Sequence, residues 1–502
     1  MKRKGILGTI CSITGVILIA KLLGFIKQMV VASSFGTTIE TDLINLSQSF
    51  IGNIQYVIVQ VLVTAFISVY IHIGETSSEE AKSFSSDTIK AFTIIAGAST
   101  ALVLIAAPGI TKIIAPTYSS EQSQILSSYL RIYSPVLILF TWTAIFQALL
   151  NANKRFIPGE IINLNQSILL IFVVLTFRSK LGVDTLVWGF FAYAIWNTCY
   201  LGFLVRKYWR YYPGNPFANP SVRHLMKMCA PLLVGYSMVY INQMVDKILV
   251  SGLEAGAVTA LNYGAVLSNL VTTFIISFGS ILFSYVTSQI AKGEHRAAAE
   301  QVNWSAELLI LVFLPISILT IICAQDVVTI AFKRGAFDAD SVRIAADALA
   351  GYGFSFVPIV LREVYSRVHY GYQNSRQPMI NSTIGVVANI ILSIALYSKY
   401  GVLGIAFASS VSVCISGFLN AITARKHNPY LSYKRILRHI PLMCVAGILC
   451  VVIANFGNQV WAGYSPMLRF ILVTVCAGGV YFLTVSPLIY RLIRKKGKNV
   501  LS

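Results

Sequence analysis

The sequence predicts an all-α polytopic membrane protein of about 14 transmembrane helices. Three observations carry that reading. Hydrophobic residues make up 56% of the 502-residue chain and charged residues 12%, about half the charged share of a soluble domain, roughly 25%. The mean hydropathy is +0.72. Apolar runs recur from end to end, each near the ~20 residues that a helix needs to cross ~30 Å of hydrocarbon.

That length rule marks fourteen spans: 6–33, 42–73, 84–111, 124–150, 157–177, 184–205, 224–250, 257–291, 302–323, 341–370, 378–397, 402–424, 437–456 and 467–490. Most of the 39 lysines and arginines fall in alternate connectors if both termini are cytoplasmic, which is the orientation the positive-inside rule selects. The acidic connector GETSSEEAKSFSSD breaks the pattern, but acidic residues weigh little in that rule. The basic connector 206–224 divides the chain into a six-helix lobe over 1–210 and a second over 211–430. A two-helix appendix and basic tail follow over 431–502.

Composition also excludes function classes. The net charge of +20 sits in short connectors between apolar runs, so the expected partners are anionic membrane lipids, not nucleic acid. The eight cysteines show no metal or redox spacing and the six histidines are scattered, so no metal site or cofactor is expected. The basic N-terminus is followed by an apolar stretch too long for a cleaved signal, which predicts an uncleaved first span. No P-loop, G-x-S-x-G or zinc motif occurs, so the chain is not expected to be an enzyme. The Asp338-Ala339-Asp340 triplet reads as a chance D-x-D on the outer side.

Polar residues inside the spans are the functional candidates, because an ionisable group at mid-membrane depth costs about 2.5–3.5 kcal/mol on insertion scales. Lys21 lies near the middle of the first span and shares a helix face with Thr14 and Gln28; something polar must face it. Lys27 lies nearer the outer interface, where its stem can snorkel. Asn45, Gln48, Gly52 and Gln55 form a stripe on the second span, beyond a turn at Gly36 and an acid at Asp42. Such amides serve either as interhelical hydrogen bonds or as the lining of a hydrated cavity; opposite a lysine, the cavity is the expectation. The seventh span adds Asp246 and Lys247, which point about 100° apart. On the tenth, Glu363 and Arg367 are spaced for an ion pair, leaving Arg362 without such a partner.

These residues, with the motifs around them, resemble the MurJ/MviN lipid II flippase family of the multidrug/oligosaccharidyl-lipid/polysaccharide exporter superfamily. The matching elements are KLLGFIK over 21–27, Ser34-Phe35-Gly36, Thr41-Asp42, FKRGAF over 332–337, Ala348-Leu349 and Gly351-Tyr352-Gly353. Arg362, Tyr365-Ser366-Arg367, the 373–378 turn, Asn389 and GVLGIA over 401–406 complete them. The resemblance implies alternating access around a central cationic cavity, with the appendix forming a groove for a polyprenyl tail. It implies a polyprenyl-diphosphate-linked saccharide as cargo, most simply the peptidoglycan precursor lipid II, and the cell-wall synthesis machinery as a partner. Lys21, Lys27, Gln55 and Arg362 are then the substrate-binding candidates. Asp42, Asn45, Gln48, Asp246 and Lys247 are the cavity or ion-coupling candidates, with Na⁺, H⁺ or the membrane potential as the drive. Lysines stand at 21 and 27 where the family pattern has arginines, which keeps charge but loses the bidentate phosphate fork. Export of another lipid-linked oligosaccharide, or cation-coupled drug export, are the alternatives.

Overall fold

In lipid every backbone N–H and C=O must be satisfied within its own segment, so apolar runs become helices. The computed structural model describes residues 3–500. Side chains are described except for residues 1–14, 76, 231, 234–236, 238, 239, 281, 435 and 493–502. The side chains of Thr14 and of the basic tail beyond Leu492 therefore lie outside those described.

The first half holds α1 (Arg3–Phe35), α2 (Ile39–Thr76), α3 (Ser78–Ile114), α4 (Ser120–Tyr133), α5 (Val136–Ala152), α6 (Ile157–Leu181), α7 (Thr185–Val205) and α8 (Pro220–Ser251). The second holds α9 (Ala257–Ala291), α10 (His295–Ile322), α11 (Ala324–Phe332), α12 (Ala339–Gly353) and α13 (Phe356–Gly371). It ends with α14 (Arg376–His427), α15 (Lys434–Val460) and α16 (Pro466–Val500). No strand occurs among the described residues. Among the described residues, ten helical segments are long and apolar enough to cross a membrane, or eleven with the α12–α13 pair, bent by 41°, taken as one.

One stretch departs from the expected layout, and one span carries an interruption. The acidic connector is not a loop: α2 runs to Thr76, α3 starts at Ser78, and Ser77 alone lies between them. Its Oγ accepts from the Glu80 N–H, and Glu79 and Glu80 occupy the first turn of α3, where negative charge complements the helix dipole. Polarity marked this segment as a loop, yet Glu, Ala and Lys are good helix formers. The expected span over 124–150 is found as one membrane-length segment, Ser120–Ala152, with its helix interrupted at Ser134-Pro135, because proline removes the N–H that would bond four residues back. The Ser134 Oγ donates to the Arg131 carbonyl at 3.0 Å in its place.

By compactness the chain forms two units, Met1–Thr259 with Arg334–Phe337, and Ala260–Lys333 with Asp338–Ser502. In the first, α1 packs on α6, and α2 packs on α3, α4, α5 and α8. The basic connector lies pinned to α3: Lys90 donates to the Tyr212 and Gly214 carbonyls, and Asn219 to Asp87. In the second, α13 packs on α10 and α14, while α15 and α16 pack on each other and on α10.

Candidate functional site

Within the first unit, three turns meet backbone to backbone. The α1–α2 turn at Gly36 (φ +62°), the α8–α9 turn at Gly256 (φ +86°) and the 334–337 turn at Gly335 (φ +59°) all use the left-handed region, which glycine adopts without steric cost. A Cβ on Gly335 would stand 2.2 Å from the Ser33 carbonyl oxygen, one on Gly36 2.4 Å from that of Ala336, and one on Gly256 2.5 Å from that of Thr37. The Ala336 N–H donates to the Ser33 carbonyl at 2.9 Å. Ser34-Phe35-Gly36 and FKRGAF, far apart in sequence, thus form one junction.

Asp42 holds the same junction from inside. It is 1% exposed; one carboxylate oxygen accepts from the Gly256 N–H at 2.8 Å and the other from the Thr259 N–H at 2.8 Å. These donors belong to the opening turn of α9, whose first N–H groups have no partner within the helix, so an acid from α2 caps it. Asn45 donates to the Thr259 hydroxyl at 2.9 Å. Four residues further along α2, Ser49 accepts from the Lys247 ammonium on α8. The Tyr56 and Tyr240 rings meet at 5.0 Å. One face of α2 is therefore joined to α8 and the α9 turn over several helical turns.

The amide stripe is divided by this packing. Asn45 faces Thr259, while Gln48 turns toward α4 and α7, donating to the Tyr133 hydroxyl at 2.9 Å. Both make interhelical hydrogen bonds, the first of the two roles open to them. Gln55 is half-buried.

Lys21 is exposed on α1 and Lys27 half-buried, and neither has an ion-pair partner among the described residues. Asp246 is 6% exposed. The expectation that Arg362 lacks a partner is corrected: its Nη2 lies 3.4 Å from one oxygen of Glu363, whose other oxygen lies 2.8 Å from Arg367. A carboxylate has two oxygens, so the i, i+4 pair leaves one for the sequence neighbour.

Several further residues were not legible as a site. Thr259, Gly256 and Ser49 carry no signal of their own in an apolar run; only the chain path brings them to Asp42 and Lys247. The Asp326 carboxylate, 3% exposed, takes both arms of Arg469 from α16, one at 2.8 Å. Glu307, 0% exposed, meets His439 of α15. Asp338 of the D-x-D triplet is the N-cap of α12, accepting from the Ser341 N–H at 2.8 Å. That bond holds its carboxyl below the usual range, and Asp340 turns instead to Arg343, 3.9 Å away.

The family model "Lipid II flippase MurJ" matches residues 31–475. The chain is 22% identical to the probable lipid II flippase MurJ of Buchnera aphidicola subsp. Baizongia pistaciae, covering 96% of each chain. It is 22% identical to the lipid II flippase MurJ of Burkholderia cenocepacia, covering 97% of this chain and 98% of that one. Among solved structures, a lipid II flippase MurJ in an inward closed conformation superposes with a TM-score of 0.81 at 21% identity, over 96% of this chain and 100% of that one. An inward-facing multidrug resistance MATE transporter of the MOP superfamily superposes at 0.66 and 11% identity, over 82% and 95%. A match across all but the two ends of the chain, taking in the glycine turns of the junction and Asp42, makes this protein a member of the MurJ lipid II flippase family.

Proposed function

We propose that this protein translocates lipid II, a polyprenyl-diphosphate-linked saccharide, across the bacterial cytoplasmic membrane by alternating access, without enzymatic turnover of its cargo. The observation that carries the reading is Lys21: a cation on a membrane helix, exposed and without an ion-pair partner among the described residues. Such a group calls for an anion, and two unit charges 4 Å apart attract by about 4 kcal/mol at an effective dielectric of 20. A diphosphate supplies that anion. Lys27 and Gln55, in the same unit, complete the headgroup contacts in this reading.

Fourteen spans follow if the 49-residue segment Ile157–Val205 and the 52-residue α14 each cross twice and α8 crosses once. At 1.5 Å per residue either long segment is about twice what one crossing needs, and each contains a glycine with positive φ, Gly182 or Gly401. The lobes are then 1–210 and 211–430, with the appendix 431–502 and both termini cytoplasmic. On that layout α8 of the second lobe rests on α2 of the first, and the glycine junction is an outer closure that must part for the cargo to leave. Asp42, Asn45 and Lys247 act as its fasteners, and Gln48 ties α2 to its own lobe. The drive is an ion gradient or the membrane potential, worth about 2.3 kcal/mol per charge per 100 mV. Drug export coupled through Asp42 is disfavoured, because both oxygens of that carboxylate already accept backbone N–H groups.

Lys21→Ala should abolish complementation of a flippase-depleted host at unchanged protein level. Normal growth of that strain would overturn the proposal.

A further inference from the structure

A groove of about 580 Å³ opens in the first unit at the C-terminal ends of α1 and α6, lined by Arg178, Glu40, Ser34 and the apolar Phe35, Leu181 and Val183. Arg178 and Glu40 are both exposed, and neither has an ion-pair partner among the described residues. The groove therefore holds two opposite charges that stand too far apart to neutralise each other. Arg178 uses one N–H on the Ser34 hydroxyl, at 3.2 Å, and a guanidinium has further donors to offer. The next acid along the chain, Asp184, accepts from the Tyr129 hydroxyl at 2.8 Å and is not part of the lining.

A ligand that satisfies both charges carries an anionic and a cationic group on one short molecule. Phosphate suits the guanidinium, whose donors lie in one plane. An ammonium suits Glu40, and the C-terminal ends of two helices also favour positive charge. A head group with phosphate alone sets negative charge against Glu40, and a quaternary ammonium brings no N–H for the carboxylate. The surrounding surface points to a lipid as the source. Ile168, Phe172, Leu175 and Ser179 recur at i, i+4, i+7 and i+11 on one face of α6. The first three are apolar and exposed, and the fourth lines the groove. The face of α6 that meets acyl chains thus leads into the charged groove.

We propose that this groove binds the zwitterionic head group of a phosphatidylethanolamine, with its phosphate on Arg178, its ammonium on Glu40 and its acyl chains along α6. Ser34 and Phe35 end α1, and Glu40 lies in the first turn of α2, so the bound head group spans the Gly36 turn and braces it. The lipid is a resident of the groove and not cargo, and the assignment does not depend on what the protein translocates.

The full-length protein in detergent can be exchanged against equimolar phosphatidylethanolamine, phosphatidylglycerol and phosphatidylcholine, and the retained lipids identified by native mass spectrometry. The parent should retain phosphatidylethanolamine at least fivefold over either of the others. Arg178→Gln should lose at least fivefold of that retention. Glu40→Gln should raise phosphatidylglycerol to the level of phosphatidylethanolamine. Both variants should keep the parent's thermal midpoint, because both positions are exposed. Lys112→Gln, which removes an exposed cation in the last turn of α3 outside the lining, should retain lipid as the parent does. Retention within twofold of the parent for Arg178→Gln, or an equal loss in Lys112→Gln, overturns the site. Phosphatidylglycerol or phosphatidylcholine retained by the parent as well as phosphatidylethanolamine overturns the zwitterion assignment. Full displacement by equimolar glycerophosphoethanolamine, which has the head group without acyl chains, overturns the lipid as occupant. Amide exchange over 33–40 that is no slower in phosphatidylethanolamine than in phosphatidylcholine nanodiscs overturns the bracing role.

Discussion

Asp42 shows how one residue serves two ends of the chain. Its carboxylate lies beside the first turn of α2 in sequence, yet it satisfies two donors more than 200 positions away. Hydrogen bonds to a charged group contribute about 1.5–3 kcal/mol. Asparagine offers one acceptor oxygen and would set its own NH₂ against the second N–H. Asp42→Asn should therefore destabilise the junction by about 1.5–3 kcal/mol, seen as a lower thermal midpoint and faster amide exchange over 254–260. Unchanged exchange there would remove Asp42 from the proposed closure. Sequence alone singled out Asp42 as a cavity or ion-coupling candidate, but not as a cap, because helix-capping by a distant side chain depends on where the α9 turn is carried. Asp338 is the reverse case: its N-cap role is local. With its carboxyl held low, the cap is present at neutral pH and is lost only as pH falls through that lowered range, below the ordinary carboxylate value of about 3.9.

At the scale of elements, α15 and α16 are fastened by polar contacts as well as by apolar ones. α16 presents Arg469 to Asp326 of α11, and α15 presents His439 to Glu307 of α10. Removing one partner of a buried ion pair costs about 3–5 kcal/mol, whereas replacing both with apolar residues is often neutral. Asp326→Ala should lower the thermal midpoint and open the 428–433 connector to protease, and Asp326→Leu with Arg469→Met should restore both. Equal protease resistance in all three proteins would show that the clamp does not hold the appendix. These helices were legible as spans from their apolar length. Their attachment was not, since a lone acid or base in an apolar run does not reveal which distant charge it meets. The broken helix at Pro135 and the one-residue α2–α3 link depended on local chemistry that a length rule ignores.

For the whole molecule, the balance of basic residues predicts that both ends face the cytoplasm. A fluorescent protein that matures only in the cytoplasm, fused after Ser502, should fluoresce; a dark fusion paired with an active periplasmic phosphatase fusion at the same point would reverse the orientation. Composition and the recurrence of apolar lengths near twenty residues determined by themselves that this is an all-helical membrane chain. Its motifs, Thr41-Asp42 and FKRGAF over 332–337 among them, pointed to the family. Those properties are local or additive, so a linear string carries them in full. Tertiary structure alone decided that the turns at Gly36, Gly256 and Gly335 meet, that Asp42 caps α9, and that Arg362 shares Glu363 with Arg367. Each of these depends on distances between segments that are remote in sequence or on the choice among rotamers of long side chains, and in an apolar chain neither is encoded by any single stretch.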